Sequence, residues 1–229
     1  MKSKNNACIK VLAMLFCILF LTVMIVSSKV ATAKKTASFR VKIVLDAGHG
    51  GIDGGCMGST DESVESTLNL LIVKELEGVL KSKGFSVFLT RENEDGLYGS
   101  TEPGFKLRDL QKRVEITSKI SPDLFISVHL NKYASALRRG AQVFFKIDDK
   151  NSKNLAMKIQ NSLNLLPESK RMYDALKGDY YLLNALSIPA VIVECGFLSN
   201  PEEEGLLLTK SYRVKLAKAI ADGVVSYLV

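Results

Sequence analysis

The sequence predicts an α/β three-layer sandwich: a mostly parallel, twisted sheet of about six strands with helices on both faces. Two observations lead there. Short runs rich in Val, Ile, Leu and Phe alternate with longer segments of helical periodicity from residue 40 to the C-terminus, as expected for strands and helices of a covered, mostly parallel sheet. The unusual polar residues then fall at the ends of the apolar runs, where open α/β sheets place their sites.

Taken in order, Arg40 to Leu45 (RVKIVL) reads as the first strand and runs into the stretch "DAGHGGIDGG". Leu68, Leu71, Ile72, Leu76, Val79 and Leu80 recur at helical spacing within 64–83, and Gly84 stops that helix. Phe85 to Thr90 is the second strand, 91–105 a polar loop, and Lys106 to Ile120 an amphipathic helix closed by Ser121-Pro122. Asp123 to Leu130 (DLFISVHL) and Ala141 to Lys146 (AQVFFK) are strands, and Asn154 to Leu165 a helix. Pro167 to Asp179 is polar and reads as irregular, Tyr180 to Leu186 as a short helix, and Ile188 to Glu194 (IPAVIVE) as the last strand. Asn200-Pro201-Glu202-Glu203 has the cap, the proline and the acids of a helix start. A final helix covers 212–228.

Residues 1–33 read as an export signal peptide or an N-terminal anchor. Lys2, Lys4 and Lys10 precede an apolar run from Val11 to Val26, and Ala31-Thr32-Ala33 offers a small-x-small cleavage site. The run is shorter than the ~20 residues of a membrane span. Either way the remainder, 34–229, is expected outside the cytoplasm as one domain, with membrane contact only through an uncleaved N-terminus. Four of the 31 basic residues lie in the signal, leaving 27 against 24 acids. The balance of +3 and the lack of a basic cluster argue against nucleic acid as a partner. Only Cys56 and Cys195 remain beyond the signal, too few for a disulfide framework.

The chain has two histidines. His49 follows the first strand amid five glycines between 48 and 55, and His129 lies near the end of the third. Gly48, Gly50 and Gly51 permit a sharp turn and close backbone approach. A catalytic zinc takes three protein ligands and leaves a fourth position open, and two histidines with a carboxylate are one such set. Glu65, in the first turn of the first helix, is the candidate third ligand, and Glu62 its competitor. Glu194 ends an apolar strand, where a carboxylate is costly unless paired or used, and is placed to act as general base. Taken singly, each residue has a structural reading too; Glu65, for one, complements a helix dipole.

Several separated motifs match a known family. "DAGHGG", "ESTLNL", "LTR", "DLFISVHLN" and "PAVIVECGFLSNPEE" resemble, in this order, the zinc-dependent N-acetylmuramoyl-L-alanine amidases with the type 3 catalytic domain. The resemblance runs from Lys42 to the C-terminus. It implies Zn2+ held by His49, Glu65 and His129, with Glu194 as catalytic glutamate. The implied reaction cuts the amide between the lactyl group of N-acetylmuramic acid and L-alanine of the stem peptide in peptidoglycan. "LTRENEDGLYG" and "KLRDLQKRVEI" resemble the spore-cortex, germination-specific branch, which prepares muramic-δ-lactam. This implies a place in the cell wall or in the intermembrane space of the forming spore.

Two positions depart from the commoner pattern: Leu130 follows His129 where many relatives have alanine, and Asn184 stands where many have arginine. Cys56 and Cys195 are left out of the site, since Cys195 should face away from Glu194 along a strand. Arg91, Arg108 and Arg113 flank the 92–105 loop, either to meet stem-peptide carboxylates or as surface charge and helix pairs. Two other readings stay open: a non-catalytic peptidoglycan-binding protein of the same fold, and a zinc peptidase cutting within the stem peptide. The sequence carries no blocking helix or wall-binding repeat, so an accessory protein that stabilises the metal site is expected to supply control.

Overall fold

One six-stranded sheet organises the chain: β1 (Lys42–Ala47), β2 (Ser86–Leu89), β3 (Leu124–Asn131), β4 (Gln142–Lys146), β5 (Leu176–Gly178) and β6 (Ala190–Phe197), in the spatial order β2-β1-β3-β6-β4-β5. The computed structural model describes residues 41–60 and 63–229. The signal or anchor reading of 1–33 and the competing carboxylate Glu62 fall outside the described residues. β2, β1, β3 and β6 run parallel, whereas β4 is antiparallel to β6 and β5 follows β4.

The side chains of these strands alternate between two helical layers. Ile43, Leu45 and Ala47, Ile126 and Val128, and Val191, Val193 and Cys195 share the larger core with α1 (Glu65–Ser82), α3 (Lys150–Asn164) and α6 (Lys210–Leu228). Val44, Phe125, Ala190 and Ile192 join the smaller core with α2 (Phe105–Ile120) and α4 (Tyr181–Ala185). Each buried aliphatic side chain contributes about 1.5–3 kcal/mol relative to exposure. Among the described residues, no helix is long and apolar enough to cross a membrane.

The same alternation sets the polar face. Asp46, Ser127, His129 and Glu194 continue the series that faces α2 and α4. β3 and β6 are in register with His129 opposite Glu194. Cys195 is fully buried in the opposite core, as its place beside Glu194 requires.

Element boundaries depart from expectation most in three places. α3 starts at Lys150 rather than Asn154, because the Asp149 side chain caps it by accepting from Asn151 N and Ser152 N. β6 continues beyond Glu194 to Phe197. The polar run 167–179, expected to be irregular, contains β5, which gains its strand character by pairing with Phe144 to Lys146 of β4.

A last helix, α5 (Pro201–Leu208), starts on Asn200 as expected, with that side chain accepting from Glu202 N and Glu203 N. Its acids do more than match the helix dipole. Glu203 accepts from Gly140 N and Phe197 N. Glu204 accepts from Ser59 N, Thr60 N and the Ser59 hydroxyl. α5 thereby ties down two loops and the end of β6, and one of those loops leads into α1.

Candidate metal centre

β1 delivers the chain to Ala47, and the glycine stretch begins at the next residue. Gly48 N still bonds to Val128 O at 3.0 Å, holding the loop against β3. His49 then takes φ 62°, a left-handed conformation uncommon outside glycine. Gly50 N to Asp53 O (2.9 Å) and Asp53 N to Gly50 O (3.1 Å) close a tight turn. Two of the loop's glycines are required by the candidate ligands themselves. A Cβ on Gly48 would lie 2.2 Å from the His129 ring, and one on Gly55 (φ 73°) would lie 2.5 Å from Glu65 Oε2 and 2.8 Å from His49 Cδ2.

Glu65 is the first residue of α1, whose N-cap Val64 offers no side-chain acceptor. The loop supplies acceptors instead: Glu65 N bonds to Cys56 O and Ser66 N to Gly54 O, satisfying helix donors that otherwise lack partners. This return of the chain puts the Glu65 carboxylate beneath His49. Glu65 Oε1 lies 3.2 Å from His49 Nε2 and 3.0 Å from His129 Nδ1, and it accepts from Leu130 N. Oε2 accepts from Cys56 N. Burial opposes charge on Glu65, but its hydrogen bonds and charge interactions with the two imidazoles outweigh burial and hold the carboxyl well below its ordinary range.

The three residues nominated from sequence therefore meet: one ligand atom from each of His49, Glu65 and His129 lies within 4.8 Å of the others. Bonds of about 2.05 Å to a tetrahedral zinc put ligand atoms about 3.3 Å apart, close to the two spacings found here. Two imidazole nitrogens and one carboxylate oxygen are a standard donor set for catalytic zinc.

Glu194 stands beside His129. Its Oε2 is buried without a hydrogen-bond partner. Burial raises its pKa, the His129 charge opposes the rise and Glu65 adds to it; the net direction is upward. Small cavities open on either side of His129. One of about 140 Å³ is walled by Tyr180, Tyr181, Leu182 and Ile192 and ends at Glu194; the other, about 180 Å³, reaches His49, Asp53 and Lys106.

Two of the three flanking arginines, Arg91 and Arg113, are buried and fully engaged with the protein, whereas Arg108 is partly exposed. Arg113 is 1% exposed. It donates to Asp46 Oδ1 (2.5 Å), Ala47 O (2.7 Å), His49 O (2.6 Å) and Asp109 Oδ2 (2.5 Å); the last of these is the helix pair expected. Arg91, 3% exposed, donates to Ala47 O, Gly48 O and Ser66 O. Together they clamp the carbonyls of the histidine loop. Asp46 anchors this network, accepting also from Thr90 and Ser127. Arg108 binds the carbonyls of Tyr98, Ser100, Glu102 and Pro103 in the neighbouring loop. Apart from that helix pair, these roles were not visible in the sequence; a carboxylate at Asp46 in an apolar strand was the one available signal.

Among the described residues the two cysteines, Cys56 and Cys195, are free. Burial pushes each thiol upward. Asn184 is exposed and donates to Asp179 Oδ1 at 2.6 Å.

A mixed sheet with helices on both faces and a histidine–carboxylate cluster beyond its central strands has the makeup of an α/β enzyme with a candidate metal site. More narrowly, a family profile described as N-acetylmuramoyl-L-alanine amidase matches residues 43–226, and the chain belongs to that family. It is 33% identical over 189 residues to the germination-specific N-acetylmuramoyl-L-alanine amidase of Bacillus subtilis, covering 81% of this chain and 78% of that protein. It is 32% identical over 239 residues to the amidase AmiA of Escherichia coli, covering 85% and 78%. Among solved structures, the Clostridioides difficile CwlD amidase, determined in complex with the GerS lipoprotein, aligns with TM-score 0.79 at 37% identity, over 82% of this chain and 98% of that one. The catalytic domain of CwlV from Paenibacillus polymyxa aligns with TM-score 0.71 at 28% identity, over 82% and 98%.

Proposed function

We propose that this chain is a zinc-dependent N-acetylmuramoyl-L-alanine amidase of the spore cortex, with His49, Glu65 and His129 holding the ion and Glu194 moving the proton. The observation that carries the reading is the convergence of those three donors, with a desolvated carboxylate beside them. Bound there, zinc supplies Lewis acidity to the scissile carbonyl and to water. Glu194, its charge weakly solvated, takes a proton from the attacking water and delivers it to the leaving nitrogen. The C–N bond breaks, leaving a carboxylate on the lactyl group and a free amine on L-alanine. The tight loop and buried carboxylate fix the site before substrate arrives, which limits reorganisation during the reaction.

The cortex assignment rests on likeness to the germination-specific amidase of B. subtilis and to CwlD. The same likeness supports export to the wall or the intermembrane space of the forming spore. It also supports an accessory protein, since the C. difficile relative was solved in complex with a lipoprotein; that such a partner stabilises the metal site is part of the proposal. Full activity and one zinc per chain in the purified protein alone would dismiss that partner.

The decisive experiment is mass spectrometry of muropeptides after the whole chain, with zinc, acts on purified peptidoglycan. Stem peptides that begin at L-alanine, together with unsubstituted muramic acid, are expected. Fragments cut within the peptide would support the peptidase reading instead. No product from zinc-loaded protein, with or without a partner, would support the binding-protein reading.

A further inference from the structure

Asp53 lies four residues after His49, in the same tight turn, and its side chain reaches the histidine ring. Its Oδ2 is 3.0 Å from His49 Nδ1, on the side of the ring away from Glu65. Its Oδ1 is 3.0 Å from Lys106 Nζ, at the start of α2. The turn that places it is closed by backbone bonds between Gly50 and Asp53, so the carboxylate is delivered to the ring by the main chain and not by chance of a long side chain. Asp53 is itself only partly exposed, at 20% of its side chain.

We infer that Asp53 is a positioning residue for the metal centre: it fixes the tautomer and orientation of His49 so that Nε2 presents a lone pair towards Glu65 and His129. A carboxylate at Nδ1 requires the proton there and leaves Nε2 as the acceptor. It also makes the imidazole a stronger donor, and loss of such a partner typically weakens metal binding 10–100-fold. Lys106 holds the second oxygen and so prevents the carboxylate from turning away. Because the lysine is two-thirds exposed, this ion pair adds little to stability; its effect is on geometry. The rest of the fold already fixes the His49 backbone through Arg113 and Gly48, so Asp53 acts on the orientation of the ring.

This inference rests on the zinc reading of the site, and the test separates the two. Zinc affinity of the purified whole chain is measured by competition with a chromogenic chelator for wild type, Asp53→Ala and Asp53→Asn, with the cobalt-substituted absorption spectrum recorded for each. Near-ultraviolet circular dichroism of the metal-free proteins checks the fold. The alanine variant is expected to bind zinc at least 10-fold more weakly with an unchanged metal-free spectrum. Asparagine keeps an acceptor oxygen without the charge and should fall between the two. The cobalt spectrum should change in the alanine variant, which a purely structural role for Asp53 would not cause. Zinc affinities within twofold of wild type for both variants would overturn the inference and leave the zinc reading intact. Wild-type protein that takes up no zinc would overturn both. Should the alanine variant fail to fold, the isosteric asparagine variant decides: at least threefold weaker binding upholds the role and affinity within twofold of wild type removes it.

Discussion

Glu194 and the two histidines differ in what they contribute, and substitution separates them. Glu194→Gln keeps the shape of the side chain and every donor of the cluster, so zinc content should stay at wild-type level. Turnover should fall about 10²–10⁴-fold, the usual worth of a positioned proton carrier. Residual activity above a tenth of wild type, measured on purified peptidoglycan, would remove Glu194 from proton transfer. His129→Ala should lose zinc and turnover together, read by elemental analysis after dialysis. Gly48→Ala places a methyl against the His129 ring and should do the same without altering any donor. Sequence could nominate His49, His129 and Glu194 because polar groups are rare at the ends of buried strands. It could not find Arg91 or Arg113, since arginines that bind carbonyls more than forty residues away leave no local pattern. Asp53 was visible only as an acid four residues after a histidine, a spacing with no meaning until the turn is seen.

At the scale of elements, β1, β3 and α2 are joined by Asp46, Arg113 and Asp109. Asp46→Asn removes one charge from a buried pair and should cost about 3 kcal/mol at pH 7 in urea unfolding. Burial resists ionisation of Asp46, but Arg113 and the hydroxyls of Ser127 and Thr90 prevail and set its pKa below the ordinary value, which is about 3.9. Its stabilisation is therefore complete above pH 3.9 and fades as pH falls through the lower folded value. The difference between wild type and Asp46→Asn should hold steady from pH 7 to about 5 and close only below 3.9; a gap already lost at pH 6 would contradict this account. The central strands and long helices were legible because their apolar periodicity is local. The reversal of β4 was not read, although the means existed. A parallel return needs a crossover of a dozen or more residues, usually helical, and the ten residues 132–141 contain no helix. β5 had no signal of its own, since three residues in a polar run become a strand only through their partner.

For the whole molecule, binding of the proposed ion would be linked to folding, because the three candidate donors come from β1's loop, α1 and β3 and cannot meet in the unfolded chain. Zinc at 100 times its dissociation constant should stabilise the fold by about 2.7 kcal/mol, or roughly 5–10 °C in Tm for a domain of this size. Thermal scans with and without a chelator measure it; an unchanged Tm at saturating zinc would mean that the ion does not reach the folded cluster. The strand order has a separate consequence. The sheet terminates in its two shortest strands, β2 with four residues and β5 with three, while the inner strands have five to eight. Edges this short leave few backbone groups for a neighbouring copy to zip onto. Molecules crowded side by side along an insoluble polymer can therefore collide repeatedly without seeding fibrils.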